Sequence, residues 1–589
     1  MPAGTSRPPR GPHDHAPAVS RPPGYRVAIV GFGPRGFGCL ERLAVEAARH
    51  GSGLPPLSVT AHDPQPHPGA GPPYDPDQPE CMLLNFSAGH IDIWSDDNDL
   101  LPPEERPDFL AWLGRSHVAW ASGDAFVPRR LLGSYLQDSF TSLRAVLPAS
   151  LAFRHVQGEV RDLEHSAEGW SIRHDDPALD LHGVDQIMVA TGHGTWCGDH
   201  GFASWNRELP EARRTRRVSS VYPVVERLSR DAVPGGAVVG IRGFALTAID
   251  AALALTEGRG GTFEERGSGI PRYRPPCRTP GGAEPTLVPF SRSGLPPLAK
   301  PGAALVQRSS ELTSLWEPLR QGILDAERLS PGTLLQRLHR AGLNAIEALG
   351  GRGSGAPTEG EQLTPAGPLR IMERSVLVAS GMLPPDDAWA RGEAWRQAYP
   401  AVVRRAGEGG LATTFPAAFA RLACSMERYA FGPPASNLGR MVALASAGRL
   451  DLRAVRGPRI DAREGRLVLQ GEGPPIPLDV LVNAVISPPG VHDDRPLLLQ
   501  LVRQGHASRA PGWDGVVVST SAASIGRDGS PTPGLSVVGR ATEGWIVGND
   551  TLSRTLHDHT RRWAARVVAE ARVPAPGAGA ARSGVGMPP

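Results

Sequence analysis

Cysteine is scarce and poorly placed for cross-linking. Five residues, Cys39, Cys81, Cys197, Cys277 and Cys424, are scattered with no CxxC spacing. That argues against a disulfide framework and against a structural zinc site, and it suits a reducing cytoplasm. Charge of one sign is also missing. The net charge is +2, so no overall field calls for nucleic acid or a membrane surface. No run of about 18 apolar residues exists, so no transmembrane helix is expected. The first residues, MPAGTSRPPRGPHDHAPAVSRPPG, contain no apolar h-region, so no signal peptide is expected either. No short-period repeat is present. The chain has 589 residues, more than one domain's worth, and 40% of them are hydrophobic, enough for real cores.

Between two Pro-rich tails, 1–24 and 573–589, which composition marks as disordered, strands alternate with helices. The pattern predicts strands over Arg26–Val30, Leu57–Ala61, Asp185–Ala190, Leu450–Val455, Arg466–Leu469, Asp479–Val485 and Gly534–Val538. It predicts helices over Phe37–His50, Phe109–Gly114 and Arg130–Phe140, a helical stretch over 303–439 and a last helix ending at Arg572. Such alternation implies parallel sheets with helices on both faces.

Two strand–loop–helix units carry the chemistry. In the first, YRVAIVGFGPRGFGCLERL, the loop is Gly31-Phe32-Gly33-Pro34-Arg35-Gly36. Gly31 permits the turn, Gly33 lets a pyrophosphate approach the backbone, and Gly36 lets helix and strand pack closely. The diphosphate then sits on a helix N-terminus. Asp63, at the end of the next strand, is placed to take the ribose hydroxyls. The second unit, VVGIRGFALTAIDAALAL, has Gly243-Phe244-Ala245-Leu246-Thr247-Ala248, with Ala in place of two glycines. It reads either as a second cofactor loop or as ordinary packing. In TLVPFSRSG, a strand ends in Ser291-Arg292, and a guanidinium there could pair with the 2′-phosphate that NADP has and NAD lacks. The alternative is a solvated surface arginine. Gly192, in VATGHG, closes a strand where the chain leaves one nucleotide unit for the next. Two dinucleotides account for two loops, and a flavin with a nicotinamide is the natural pair.

Taken together, GFGPRG, VPRRLLGSYL, ATGHG, RGFALTAIDAALALTEGRGG, FSRSGLPPLAKP, MERYAFGPP and GRATEGWIVGNDTLSRTLH resemble the FAD/NAD(P)-binding flavoproteins. That group includes nitrosuccinate-forming aspartate N-monooxygenase and a bacterial FAD-dependent urate hydroxylase. The resemblance spans roughly residues 25–565 and implies an α/β fold of two Rossmann-like dinucleotide-binding domains, for FAD and NADPH, with a helical insertion. It divides the chain into a flavin domain (25–225 and 491–572), a nicotinamide domain (226–302 and 440–490) and the insertion (303–439). The implied reaction is a flavin monooxygenation through an oxygen adduct at flavin C4a, with a small-molecule substrate and O2 as partners. Oxygenation of a small polar nitrogen compound, aspartate to nitrosuccinate most concretely, is the leading reading. Ring hydroxylation of urate or another heteroaromatic, and a non-catalytic redox-sensing flavoprotein, are the alternatives.

Such chemistry needs no metal and no protein nucleophile, so the candidate residues are binders. Gly539 and Arg540 are expected at the flavin ribityl chain or pyrophosphate, and Trp545 near its ring. Asp550 is expected either in the same site or as a cap on the helix that follows. NFSAGHIDIW, beginning at Asn85, resembles the loop that crosses the flavin. His90, His193 and His557 read as buried, satisfied imidazoles.

Overall fold

The structure, a computed structural model, describes residues 24–192, 208–267, 269–276, 283–351, 353, 367–492, 496–549, 552 and 556–573. Strand β1 (Tyr25–Val30) buries its last four residues on both faces, so it reads as a continuous apolar run. It feeds helix α1 (Pro34–His50), which starts with Pro at its first position and buries Phe37, Leu40, Leu43 and Ala44. β1 lies at the middle of a six-stranded sheet. On one side come β2 (Leu57–Asp63) and β3 (Leu151–Gln157). On the other come β4 (Gln186–Val189), then Pro531–Val537 and the antiparallel edge Ala523–Ile525. The strand from residue 531 onward thus returns to the first sheet from the far end of the chain.

A second, four-stranded sheet is parallel throughout. It contains β5 (Arg216–Val218), β6 (Val238–Arg242), β7 (Thr286–Phe290) and β8 (Val480–Asn483), in the order β7-β6-β8-β5. Because β5 pairs here, the second sheet begins earlier than a division at 225/226 places it. The α/β class and its parallel sheets agree with the sequence reading.

The expected strand Leu450–Val455 is absent. That stretch meets β7 only through isolated bridges, Leu287 with Leu450 and Ser291 with Arg456. The two bridged ends accept and donate hydrogen bonds, but Leu452–Val455 turns between them. A hairpin sheet (Val160–Ser166, Gly169–His174, Leu181–Val184) between β3 and β4 was not anticipated. Its outer strands are largely polar, and only Gly169–His174 alternates buried with half-buried residues.

Within 303–439, helices Ala303–Ser310, Thr313–Leu324, Pro331–Ala348, Gly367–Ala379, Asp387–Ala406 and Pro416–Ala430 build their own core around Trp316, Trp395 and Phe419. This insertion is docked on both units. Met372, Val376 and Ala379 join the second sheet's core. Trp513 donates its indole N–H to the Ala412 carbonyl (2.9 Å), and Glu408 donates its N–H to the Trp545 carbonyl (2.7 Å). No helix among the described residues is long and apolar enough to cross a membrane.

Candidate cofactor site

Gly31 adopts φ +91°, and a Cβ there would lie 2.6 Å from the Ala190 carbonyl oxygen, at the exit of β4. Only glycine fits the turn. Gly36 packs against the Gly31 backbone, so it serves helix–strand contact and does not line the cavity. Gly33 differs: a Cβ there would find nothing of the protein nearer than the Gly71 Cα at 3.8 Å. The space above it belongs to a cavity of about 540 Å³. No side chain caps α1, whose first turn opens toward that cavity. A glycine with nothing over it, at an uncapped helix start, is a cradle that fits a pyrophosphate.

Asp63 stands at the cavity wall and also braces the loop. Its Oδ2 accepts the Phe32 N–H (2.6 Å) and its Oδ1 the Gln65 N–H (2.8 Å). Burial pushes its carboxyl up, and the two N–H groups oppose the shift. The cavity continues past Gly158–Val160 at one end and past Gly192, Gly539 and Arg540 along its length. Arg35 clamps the loop to the return segment by donating Nη2 to the Asn549 carbonyl (2.9 Å). Of the sequence-read candidates, Gly31, Gly33, Asp63, Gly192, Gly539 and Arg540 line this one cavity.

Others do not. Trp545 lies off it and donates its indole N–H to the Val518 carbonyl (2.7 Å). Asn85 also lies off it and gives its carbonyl to the Lys300 ammonium. Asp550 and His193 lie outside the described residues. His557 lines the cavity with its Nε2 2.9 Å from the Val547 carbonyl, and burial first, then His559 and Arg35, hold it down to about 4. His90 is exposed rather than buried.

The second loop repeats the first with different residues. Gly243 takes φ +117°, and a Cβ there would lie 2.9 Å from the Ala484 carbonyl at the exit of β8. Ala245 is the extended residue before α2 (Leu246–Leu255), which again has no side-chain cap. Register fixes the correspondence. The Gly31 N–H binds the His62 carbonyl and the Gly243 N–H the Phe290 carbonyl, each at 2.8 Å. Ser291 therefore occupies in the second unit the place of Asp63 in the first. Arg292, next to it, is exposed, while the Ser291 hydroxyl accepts the Gly294 N–H (3.0 Å).

A buried charge network joins the two units, and sequence reading missed it. Arg129, at the start of a helix of the first unit (Arg129–Ala145), reaches Asp250 on α2 at 3.0 Å. Tyr222, in the cavity wall, donates its hydroxyl to the same carboxylate. Arg129 is anchored on its own side by the Met82 and Leu83 carbonyls. Cys81 and Met82 in turn sit in the second unit's core. The Asp250 charge holds the buried guanidinium protonated against desolvation. All three side chains fall in or beside stretches that alternate regularly, so only the unusual placing of an acid on an all-apolar helix, AIDAALAL, signalled it.

Part of the chain is similar to known proteins. Residues 28–194 match the model of the FAD-NAD(P)-binding family. Nitrosuccinic acid synthase of Aspergillus oryzae is 27% identical over 272 residues, covering 46% of this chain and 40% of that protein. An L-aspartate N-monooxygenase (nitrosuccinate-forming) of Streptomyces cremeus is 27% identical over 296 residues, covering 46% of this chain and 42% of its own length. The chain thus aligns with less than half the length of either relative. Among solved structures, OTEMO in complex with FAD and NADP superposes with a TM-score of 0.42 at 10% identity, covering 93% of this chain and 85% of that one.

Proposed function

We propose that the protein is an FAD- and NADPH-dependent monooxygenase acting on the nitrogen of a small amino acid, aspartate to nitrosuccinate in its most concrete form. The structural observation that carries this is the pair of glycine loops in one register, one followed by Asp63 and the other by Ser291-Arg292, with the first loop's cavity walled by residues of both units. The likeness to nitrosuccinate-forming enzymes supports the choice of reaction.

When bound, the flavin accepts hydride from the nicotinamide and activates O2. The chain's own residues do the rest. Gly33 and the first turn of α1 hold the pyrophosphate, and Asp63 the ribose. Gly539 and Arg540 flank the chain between them. Gly243, Ala245, Ser291 and Arg292 hold the second dinucleotide, with Arg292 on its 2′-phosphate. Asn85 and Trp545 lie off this cavity, Trp545 at the seat of the insertion. His557 is neutral near pH 7 and faces the Val547 carbonyl, so it fixes the turn and carries no substrate proton. The insertion packs against both units through Met372, Val376, Ala379, Glu408 and Ala412.

A substrate panel tests the reading, with NADPH oxidation followed against peroxide release. L-Aspartate is expected to accelerate NADPH consumption without matching peroxide. Acceleration by urate alone would move the assignment to ring hydroxylation. A flavin-loaded protein that consumes no NADPH with any compound would make it a binding protein.

A further inference from the structure

The chain contains 62 basic residues, and one of them is a lysine: Lys300. Every other cationic side chain is arginine, so composition presses strongly toward arginine everywhere but here. The exception sits where three segments meet. Its Nζ donates to the Asn85 carbonyl and lies 5.3 Å from the centre of the Phe86 ring, both on the loop before Ile91. Its backbone N–H binds the Pro433 carbonyl (2.9 Å), and Ala299 beside it binds the Ser375 hydroxyl (2.8 Å).

No carboxylate among the described residues pairs with this ammonium. The nearest acid network is already spent: Glu393 is buried and takes Arg396 in a two-pronged pair as well as the Ser309 hydroxyl. Burial first, and then repulsion from Arg396, bring the ammonium down to about 7. Of the other charged or titratable groups around the niche, Arg428 is bound to the Pro296 carbonyl, and His90 packs edge-on against Phe86 on the exposed side. Lys300 itself is half-buried.

An ammonium offers three N–H donors, and one is used. A compact cation with two donors left, uncompensated and poorly hydrated, is a receptor for a carboxylate. We propose that Lys300 is the anchor for a carboxylate of the substrate, and so a specificity-determining residue. The proposal rests on the amino-acid reading above. Binding of an anion favours the charged form, so affinity is highest below pH 7 and falls as pH rises through the value of the complex.

Because there is a single lysine, the flavin-loaded full chain grown with [ε-13C]lysine gives one side-chain resonance. Succinate and L-aspartate are expected to shift it and to raise its titration midpoint from about 7. Neutral succinamide is expected to leave it unmoved. In kinetics, Lys300→Met is expected to raise KM for L-aspartate at least tenfold with flavin content unchanged, and Lys300→Arg to restore it incompletely. A resonance indifferent to both dicarboxylates, or an unchanged KM in Lys300→Met, overturns the proposal. Equal loss of flavin and affinity in both variants also overturns it, since Lys300 would then support the fold. The resonance responds to succinate whether or not any amino acid is turned over, so failure of the monooxygenase reading is seen separately.

Discussion

The two glycine loops share a frame and differ in what they present to a ligand. In both, the first position is a glycine forced by the carbonyl at the exit of the neighbouring strand, Ala190 in one and Ala484 in the other. In both, a carbonyl at the end of the next strand, His62 in one and Phe290 in the other, receives the loop's first N–H. The second position separates them. Gly33 leaves open space, whereas Ala245 puts a methyl at the corresponding point. The third separates them again, since Gly36 is pressed against the Gly31 backbone while Ala248 is accommodated and almost fully buried. The strand ends differ most: Asp63 against Ser291. An open, acid-flanked cradle suits a resident dinucleotide, and a more crowded one flanked by Ser-Arg suits a dinucleotide that comes and goes and carries an extra phosphate.

The comparison breaks most completely at Gly33. A Gly33→Val side chain would fill the space where the pyrophosphate lies, so the protein is expected to purify colourless and poorly folded. Full flavin content, read from its absorbance, would remove the first loop from the cofactor site. Next in size is the tie between the units. Asp250→Asn leaves the Arg129 guanidinium buried without its counter-charge, which costs about 3–5 kcal/mol. Chemical denaturation is expected to show that loss, whereas Tyr222→Phe, which keeps the ion pair, is expected to lose less than half as much.

Arg292→Ala is expected to raise the apparent KM for NADPH by about ten- to a hundredfold, the worth of a charge-assisted contact of roughly 1.5–3 kcal/mol. NADH, which has no 2′-phosphate, is expected to change little. Equal losses with both would make Arg292 a support of the fold. The smallest effect is expected at Ala245→Gly, which brings the second loop nearer to the first. Removing one methyl is expected to tighten NADPH by about threefold, or roughly 0.6 kcal/mol, measured by titration of the flavin-loaded protein.

Much of this frame was legible in the sequence. The first loop, Asp63 and the turn at Gly192 could be read because each obeys a local backbone rule: a strand end, a glycine at positive φ, an acid one strand away. The correspondence of Ser291 with Asp63 depends on register, and pattern alone left Arg292 open between two roles. Leu450–Val455 read as a strand because it is apolar, yet it turns between two isolated bridges with β7. Trp545 looked like a ring-stacking residue, but its placement is set by Val518 and by the insertion, contacts from distant parts of the chain. Arg129, Asp250 and Tyr222 were invisible for the same reason, since their meaning lies in a contact between units.

The most direct test of the account is anaerobic mixing of the purified flavin-loaded protein with NADPH and, separately, with NADH, following the flavin absorbance in a stopped-flow instrument. NADPH is expected to bleach the flavin in a single saturable phase, at concentrations at least tenfold below those needed for NADH. Equal reduction by the two would contradict the role given to the Ser291-Arg292 end, and a flavin that neither cofactor reduces would contradict the claim that the second loop serves a nicotinamide at all.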